Sequence, residues 1–208
     1  EIRLSLVGSE MCIRDRYGFV FPTRFTNLLS IATALRLGKV KLQGSGLATF
    51  VNDRVKEGPA PKARQILTPA VFLSYKPFDK HDFSLRAFYK KTFRMPTFND
   101  LYYADMGNSK LDPEYVTQYN LGTVYQKQWG NKLFRHFKIQ ADGYYNYVKD
   151  KIIAYPKGQQ FRWTMLNLGK VKIRGVDIST ETMINPWKDL FITMKVQYTC
   201  LLYTSPSP

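Results

Sequence analysis

The residues best placed to do chemistry lie in one stretch, Phe93-Arg94-Met95-Pro96-Thr97-Phe98-Asn99-Asp100-Leu101-Tyr102-Tyr103, and its continuation Gly107-Asn108 and Leu111-Asp112-Pro113-Glu114. Arg94, Asp100 and Glu114 offer one cation and two carboxylates. A guanidinium can take a carboxylate on each edge and so close a loop, or it can face an anionic ligand. Loop locking is the duty expected of these three. Pro96 and Pro113 fix the directions in which the chain leaves the flanking segments. Tyr102 and Tyr103, with Tyr155, Phe161 and Trp163 further on, place aromatic area in two long loops. Such area suits loop-on-loop packing, and also ring-bearing ligands. Arg94, Tyr102, Tyr103 and Trp163 are therefore the candidate ligand contacts.

Other chemistry is poorly supplied. Cys12 and Cys200 lie near the two ends, and between them there is no thiol for a disulfide, a metal or a nucleophile. His81 and His136 stand far apart in sequence, so no metal-ligand spacing can be built from imidazole. A hydrolase would need a serine, a histidine and a polarising partner brought together, and His81 falls in a tight turn. No enzyme, no metal and no cofactor is expected. The formal charge of +15 can signal a nucleic-acid partner. Here Lys and Arg are spread over the whole chain with no basic tract, and no nucleic acid is expected. Lipopolysaccharide phosphates or an anionic ligand are better destinations for the charge.

The two ends read as foreign sequence. Leu6 to Asp15, LVGSEMCIRD, is one frame of a transposon-end adaptor used in sequencing libraries, CTC GTG GGC TCG GAG ATG TGT ATA AGA GAC. Cys200 to Pro208, CLLYTSPSP, is one frame of its reverse complement. On this reading 1–16 and 200–208 are adaptor-derived, 17–199 is a partial natural protein, and neither end segment is expected to pack well.

The elements that must position the candidate residues have period two. Phe137, Ile139, Ala141, Gly143, Tyr145 and Tyr147 fall on one face of a strand, and Lys138, Gln140, Asp142, Tyr144 and Asn146 on the other. Leu190, Ile192, Met194, Val196 and Tyr198 oppose Phe191, Thr193, Lys195 and Gln197 in the same way. The parity breaks across Arg174-Gly175, which predicts a β-bulge. About eight antiparallel strands are predicted, near 22–35, 39–53, 65–76, 82–93, 115–127, 133–150, 170–184 and 189–199. Tight turns at 36–39, 77–80, 128–132 and 185–188 alternate with long loops at 52–63, 94–114 and 151–169. That rhythm, with aromatic residues near strand ends, fits an all-β transmembrane barrel wall with short turns on one side and long loops on the other. No apolar run approaches the ~18 residues of a transmembrane helix.

The stretch from Phe93 to Glu114 resembles the barrel signature of TonB-dependent receptors, with Phe93, Arg94 and Pro96, then Asp100-Leu101-Tyr102, Gly107-Asn108, Leu111, Pro113 and Glu114 in the family's order. Tyr119-Asn120-Leu121-Gly122, Asn167-Leu168-Gly169 and Ile173-Arg174-Gly175-Val176-Asp177 are similar to its later segments. The resemblance implies a larger barrel in the Gram-negative outer membrane, crossed many times and contacting outer-membrane lipid and lipopolysaccharide. It implies active import of a small molecule: a siderophore, haem, cobalamin or another scarce nutrient. A TonB-type energising complex would act through an N-terminal plug that this chain lacks. A glycan importer of the same fold, and an outer-membrane adhesin or anchor barrel, are the alternative readings.

Overall fold

A computed structural model describes residues 3–8, 22–56, 61–79, 82–103, 106–129, 133–157, 162–187 and 190–204. They form nine strands and one short helix: β1 (Arg3–Gly8), β2 (Thr23–Leu37), β3 (Val40–Arg54), β4 (Arg64–Tyr75), β5 (Asp82–Arg94), α1 (Phe98–Tyr102), β6 (Glu114–Gln128), β7 (Phe134–Lys157), β8 (Arg162–Trp187) and β9 (Leu190–Thr204). All nine strands join one antiparallel sheet in sequence order, and β1 and β9 do not pair with each other among the described residues.

Register explains why the two parities of the sequence become one surface. Direct cross-strand partners share a face. Ile192 pairs with Ile184, Val196 with Thr180, Thr180 with Ile139, and Tyr145 with Tyr119, so the even residues of β9 and β8 lie beside the odd residues of β7 and β6. Continued through β5 to β2, this face carries Leu85, Val71, Leu73, Leu42, Leu35 and Ile31, all exposed. The opposite face carries Lys41, Gln43, Arg86, Asn120, Gln140, Asp142 and Asp177. The sheet is a wall, apolar on one side and polar on the other.

The eight expected strands are present as β2 to β9, with four differences. First, β1 and the end of β9 lie inside 1–16 and 200–208, where no strand was expected. Arg3 to Gly8 pair with Phe25 to Ser30, and Cys200 to Thr204 continue the β8 ladder. An open sheet edge presents backbone donors and acceptors that any extended segment can satisfy, so pairing is indifferent to where a sequence came from. Second, the loop expected at 151–169 is mostly strand, because Lys151 to Lys157 pair with Arg162 to Leu168. The expected boundary survives as a joint: Asp150 (φ 57°) and Gly169 (φ 52°) both take left-handed backbone there, and pairing resumes beyond them. Third, no bulge forms at Arg174-Gly175. The register runs unbroken from Lys170 to Met183, and the irregularities lie instead at Phe134/His136 and Ile184/Trp187. Gly175 serves packing: a Cβ there would collide with the ring of Tyr144, which lies across the glycine from β7. Fourth, α1 stands inside the loop between β5 and β6.

The turn at Gly38 sets the register of β2 and β3. Gly38 takes φ +55° with open space around it, so the requirement is conformational only. Pro69 shapes the other end of the sheet. The β4–β5 ladder runs from Ala70/Lys90 to Tyr75/Leu85 and stops at Pro69, which has no N–H to donate. Above that point β4 pairs with β3 alone.

Candidate functional site at the loop end of the sheet

The loop 95–113 packs where β4 and β5 part. Its helix starts by a reciprocal cap: Asp100 N donates to Thr97 Oγ1 (3.2 Å) and Thr97 N donates to Asp100 Oδ2 (2.9 Å). The capping carboxylate also meets Arg94 Nη1 at 3.6 Å, while Arg94 Nη2 donates to Glu114 Oε2 at 3.4 Å. Arg94 and Glu114 are ladder partners, the last residue of β5 and the first of β6. Glu114 Oε2 accepts from Ile152 N (3.3 Å) as well, which ties in β7. Arg94 thus holds the two ends of the loop and its helix at one point.

The remaining motif residues each carry a part of this build. Pro96 and Pro113 are fully buried. Leu101 and Leu111 pack with Ile152, with Phe98, Tyr102 and Met165 against them, and form the only cluster of buried apolar side chains among the described residues. Gly107 permits a close backbone approach, since a Cβ would stand 2.6 Å from Tyr103 N and 2.7 Å from Leu101 O. Asn108 Nδ2 donates to Met165 O (2.9 Å) and Met165 N donates to Met106 O (3.0 Å), so the loop is stitched to the extended part of β8. Phe93 lies opposite Tyr115 in the β5–β6 ladder.

Three further anchors escaped the sequence reading. Arg24 Nε and Nη2 donate to Asp53 Oδ1 and Oδ2, each at 2.7 Å, Nη1 donates to Pro96 O at 2.9 Å, and the guanidinium lies 5.0 Å from the centre of the Phe98 ring. Arg64 forms an ion pair with Asp112. Asn167, noted only as part of a motif, accepts from Asp112 N (2.8 Å) and donates to Asp112 O (2.9 Å) and Asp150 O (2.7 Å). The signal for Arg24 was available: a tight turn at Gly38 places residue 24 opposite residue 53.

Between these anchors lies a cleft of about 380 Å³, bordered by Asp53, Lys62, Arg64, Met95 and Lys110 among others. Tyr102 closes against its inner wall. Its hydroxyl is buried without a hydrogen-bond partner, and burial, then the Asp53 carboxylate, push its pKa above the ordinary value, while Arg24 pulls the other way. Of the other candidate contacts, Tyr103 and Trp163 expose 43% and 46% of their surface, as does Tyr155 at 43%, so the mouth presents aromatic area. Phe161 and His81 lie outside the described residues.

Residues 14–206 match the family model described as TonB dependent receptor-like, beta-barrel. The chain belongs to that family. The match reaches into 14–16 and 200–206, which the codon reading places in adaptor. Among curated relatives, 87 residues are 34% identical to a Vitamin B12 transporter BtuB of Vibrio vulnificus (strain YJ016), covering 41% of this chain and 13% of that protein. Among solved structures, the FrpB iron transporter from Neisseria meningitidis (F3-3 variant) superposes with a TM-score of 0.60 at 17% identity, over 88% of this chain and 26% of that one. The siderophore receptor PirA from Pseudomonas aeruginosa gives 0.53 at 17% identity, over 86% and 41%. The chain therefore spans less than half the length of these receptors. It is a stretch of TonB-dependent receptor barrel.

Proposed function

We propose that this chain is part of the wall and mouth of an outer-membrane importer that takes up a scarce nutrient such as a siderophore, haem or cobalamin. The observation that carries the reading is the two-sided sheet: one face largely apolar away from its loop end, for lipid, and a polar face for an aqueous lumen. Family membership and relatives whose names are those of iron and vitamin B12 transporters support it. Energy would come from a TonB-type complex through a plug outside this chain, and lipid and lipopolysaccharide would surround the wall. Tyr103 and Trp163 are the proposed ligand-facing surfaces. Arg94 and Tyr102 are held by the loop's own packing, which favours a positioning role for them.

The test is energised uptake. The parent gene, recovered by resequencing across both junctions, is deleted, and uptake of ferric siderophores, haem, cobalamin and oligosaccharides is measured with and without the energising complex. Loss of energy-dependent uptake of one of the first three supports the proposal. Loss of oligosaccharide uptake alone transfers the chain to the glycan importers, and no loss of any uptake overturns the transport reading.

A further inference from the structure

One cross-strand row on the polar face divides its charges by side. It runs from Arg36 on β2 through Lys41, Ser74 and Arg86 to Gly122 on β6. Asp142 on β7 and Asp177 on β8 continue it. The cations of the row therefore stand on β2 to β5 and the acids on β7 and β8. Arg86 spans the divide: its Nη2 donates to Asp142 Oδ1 and Oδ2, at 3.2 and 3.3 Å, and Gln140 Nε2 donates to Asp142 Oδ2 at 2.7 Å. The Asp142 carboxylate lies over Gly122, where a Cβ would strike it.

Arg36 and Lys41 have no such carboxylate. They are direct partners in the β2–β3 ladder, both are exposed, and no ion pair involves either among the described residues. Like charges directly opposite each other destabilise a sheet. The described carboxylates at the turn end of β2 to β5 are Asp79, taken by Lys39 at 2.8 Å, and Asp82, which opens β5. A repulsive pair kept on the polar face is a place for an anion that the wall itself does not supply.

Beside the pair is a hollow of about 530 Å³, within the range of small-molecule sites. Lys41 and Arg86 flank it, the amides of Gln43 and Asn120 line it, and the small Ser74 between the two cations leaves the space open. Phe72 and Phe88, ladder partners with ring centres 5.5 Å apart, give it an apolar wall. The distance along β3 from Lys41 to Asp53 is about 40 Å, so this hollow is separate from the cleft at the loop end.

We propose that this hollow is a second subsite on the route of the imported solute, nearer the turns, and that it takes a ring-bearing organic anion. The anionic group lies on Lys41 and Arg36, the ring lies against Phe72 and Phe88, and Gln43 and Asn120 supply hydrogen bonds. The proposal rests on the reading of the chain as an importer wall. Within that reading it selects an anionic, ring-bearing cargo over a neutral oligosaccharide.

The experiment uses the full-length receptor in lipid nanodiscs and equilibrium dialysis of 2-naphthoate, its neutral isostere 2-naphthamide, and acetate, each corrected for empty discs. Wild type should bind 2-naphthoate about tenfold more tightly than either of the others. Arg36→Gln with Lys41→Gln should bring naphthoate down to the level of naphthamide. Because that variant relieves a like-charge contact, it should melt no lower than wild type. Phe72→Ala should weaken both naphthyl probes and leave acetate unchanged; it also serves if the double variant does not assemble. Lys127→Gln, a cation at the turn end of the other face beside Trp129 (5.2 Å), should change nothing. Lys41→Cys should react with a small maleimide in the intact receptor. Equal binding of naphthoate and naphthamide by wild type, full preference in the double variant, or unchanged naphthyl binding in Phe72→Ala would each overturn the site. So would a Lys41→Cys that stays unreacted because another part of the parent chain fills the hollow. Energised uptake by a receptor without naphthoate preference leaves the importer standing and removes this subsite, whereas absence of energised uptake fails the importer reading itself and the subsite with it.

Discussion

Arg24 and Asp53 face each other across the β2–β3 ladder and share two hydrogen bonds of 2.7 Å, with the carboxylate side chain 3% exposed and the guanidinium 15%. Removing one partner of a buried pair leaves the other charge uncompensated, at a cost of about 3–5 kcal/mol. Asp53→Ala should therefore lower the melting temperature of the full receptor and open loop 95–113 to trypsin at Lys110, because Arg24 also donates to Pro96 O. The double variant Arg24→Ala with Asp53→Ala should be milder than Asp53→Ala alone. Arg24→Lys should not restore the loop, since an ammonium cannot hold both carboxylate oxygens and a carbonyl in one plane. Wild-type trypsin resistance in Asp53→Ala would show that the pair anchors nothing.

Tyr102 gives a prediction in pH. Its pKa is raised above the ordinary 10.0, by burial first and then by the Asp53 carboxylate. Folding therefore favours the protonated phenol, so its contribution to stability is complete below pH 10 and is lost as pH rises through the higher folded-state value. Tyr102→Phe keeps the ring against Phe98 (6.5 Å between centroids) and removes a buried hydroxyl that has no partner. The variant should match or exceed wild type in stability at pH 7. Between pH 10 and the onset of global alkaline unfolding, it should lose less stability than wild type in denaturant titrations. Parallel loss in both proteins would mean that the phenol is solvated.

Gly175 and Tyr144 form a size-matched pair across β7 and β8. Gly175→Ala puts a methyl where the Tyr144 ring lies, and overpacking of this kind costs about 1–3 kcal/mol. The ring can swing away at its far end, which sets the expectation at the lower part of that range. Tyr144→Ala in the same chain should make Gly175→Ala nearly neutral. A double-mutant cycle with no coupling energy would show that the glycine is there for another reason.

The wall was legible because its signal is local. Ile139 and Asp142 differ in parity along one strand, and such parity separates an apolar surface from a polar one. The mouth was legible only through motif residues that lie within one loop, such as Arg94, Asp100 and Glu114, which the structure brings together. Arg24, Asp53, Arg64 and Asp112 meet across strands, where no sequence spacing announces a contact, and only the register carried from Gly38 joins the first two. The extended β7–β8 hairpin was missed for a different reason. Gly158, Pro156 and Gly169 are turn residues by type, yet Ile152, Ile153, Tyr155, Trp163 and Thr164 between them are strand formers, and pairing with each other outweighed the punctuation. At Arg174-Gly175 the parity of the apolar residues switches while the backbone register runs on unbroken.

The facing of the wall is the most direct test of the membrane reading. Ile192, Met194, Val196 and Tyr198 on β9 share a surface with Ile139, Ala141 and Tyr145 on β7, through β8 residues that pair with both. Lys195 pairs across the ladder with Glu181, meeting its carboxylate at 3.2 Å, and Gln140 donates to Asp142 at 2.7 Å on the opposite side. An arginine on the lipid side near the bilayer midplane costs about 2–4 kcal/mol, whereas the lumen side solvates it. In the full-length parent, Ile192→Arg and Ile139→Arg should reduce the amount of heat-modifiable barrel in outer-membrane fractions. Lys195→Arg and Gln140→Arg should leave it unchanged, and Gln140→Arg also brings a cation toward the Asp142 carboxylate. Stability in detergent separates assembly from folding: the lipid-face variants should melt near wild type in micelles, where the guanidinium reaches water, yet assemble poorly in the bilayer. Equal assembly of all four variants would place the apolar face outside lipid and remove the barrel wall as an explanation of its composition.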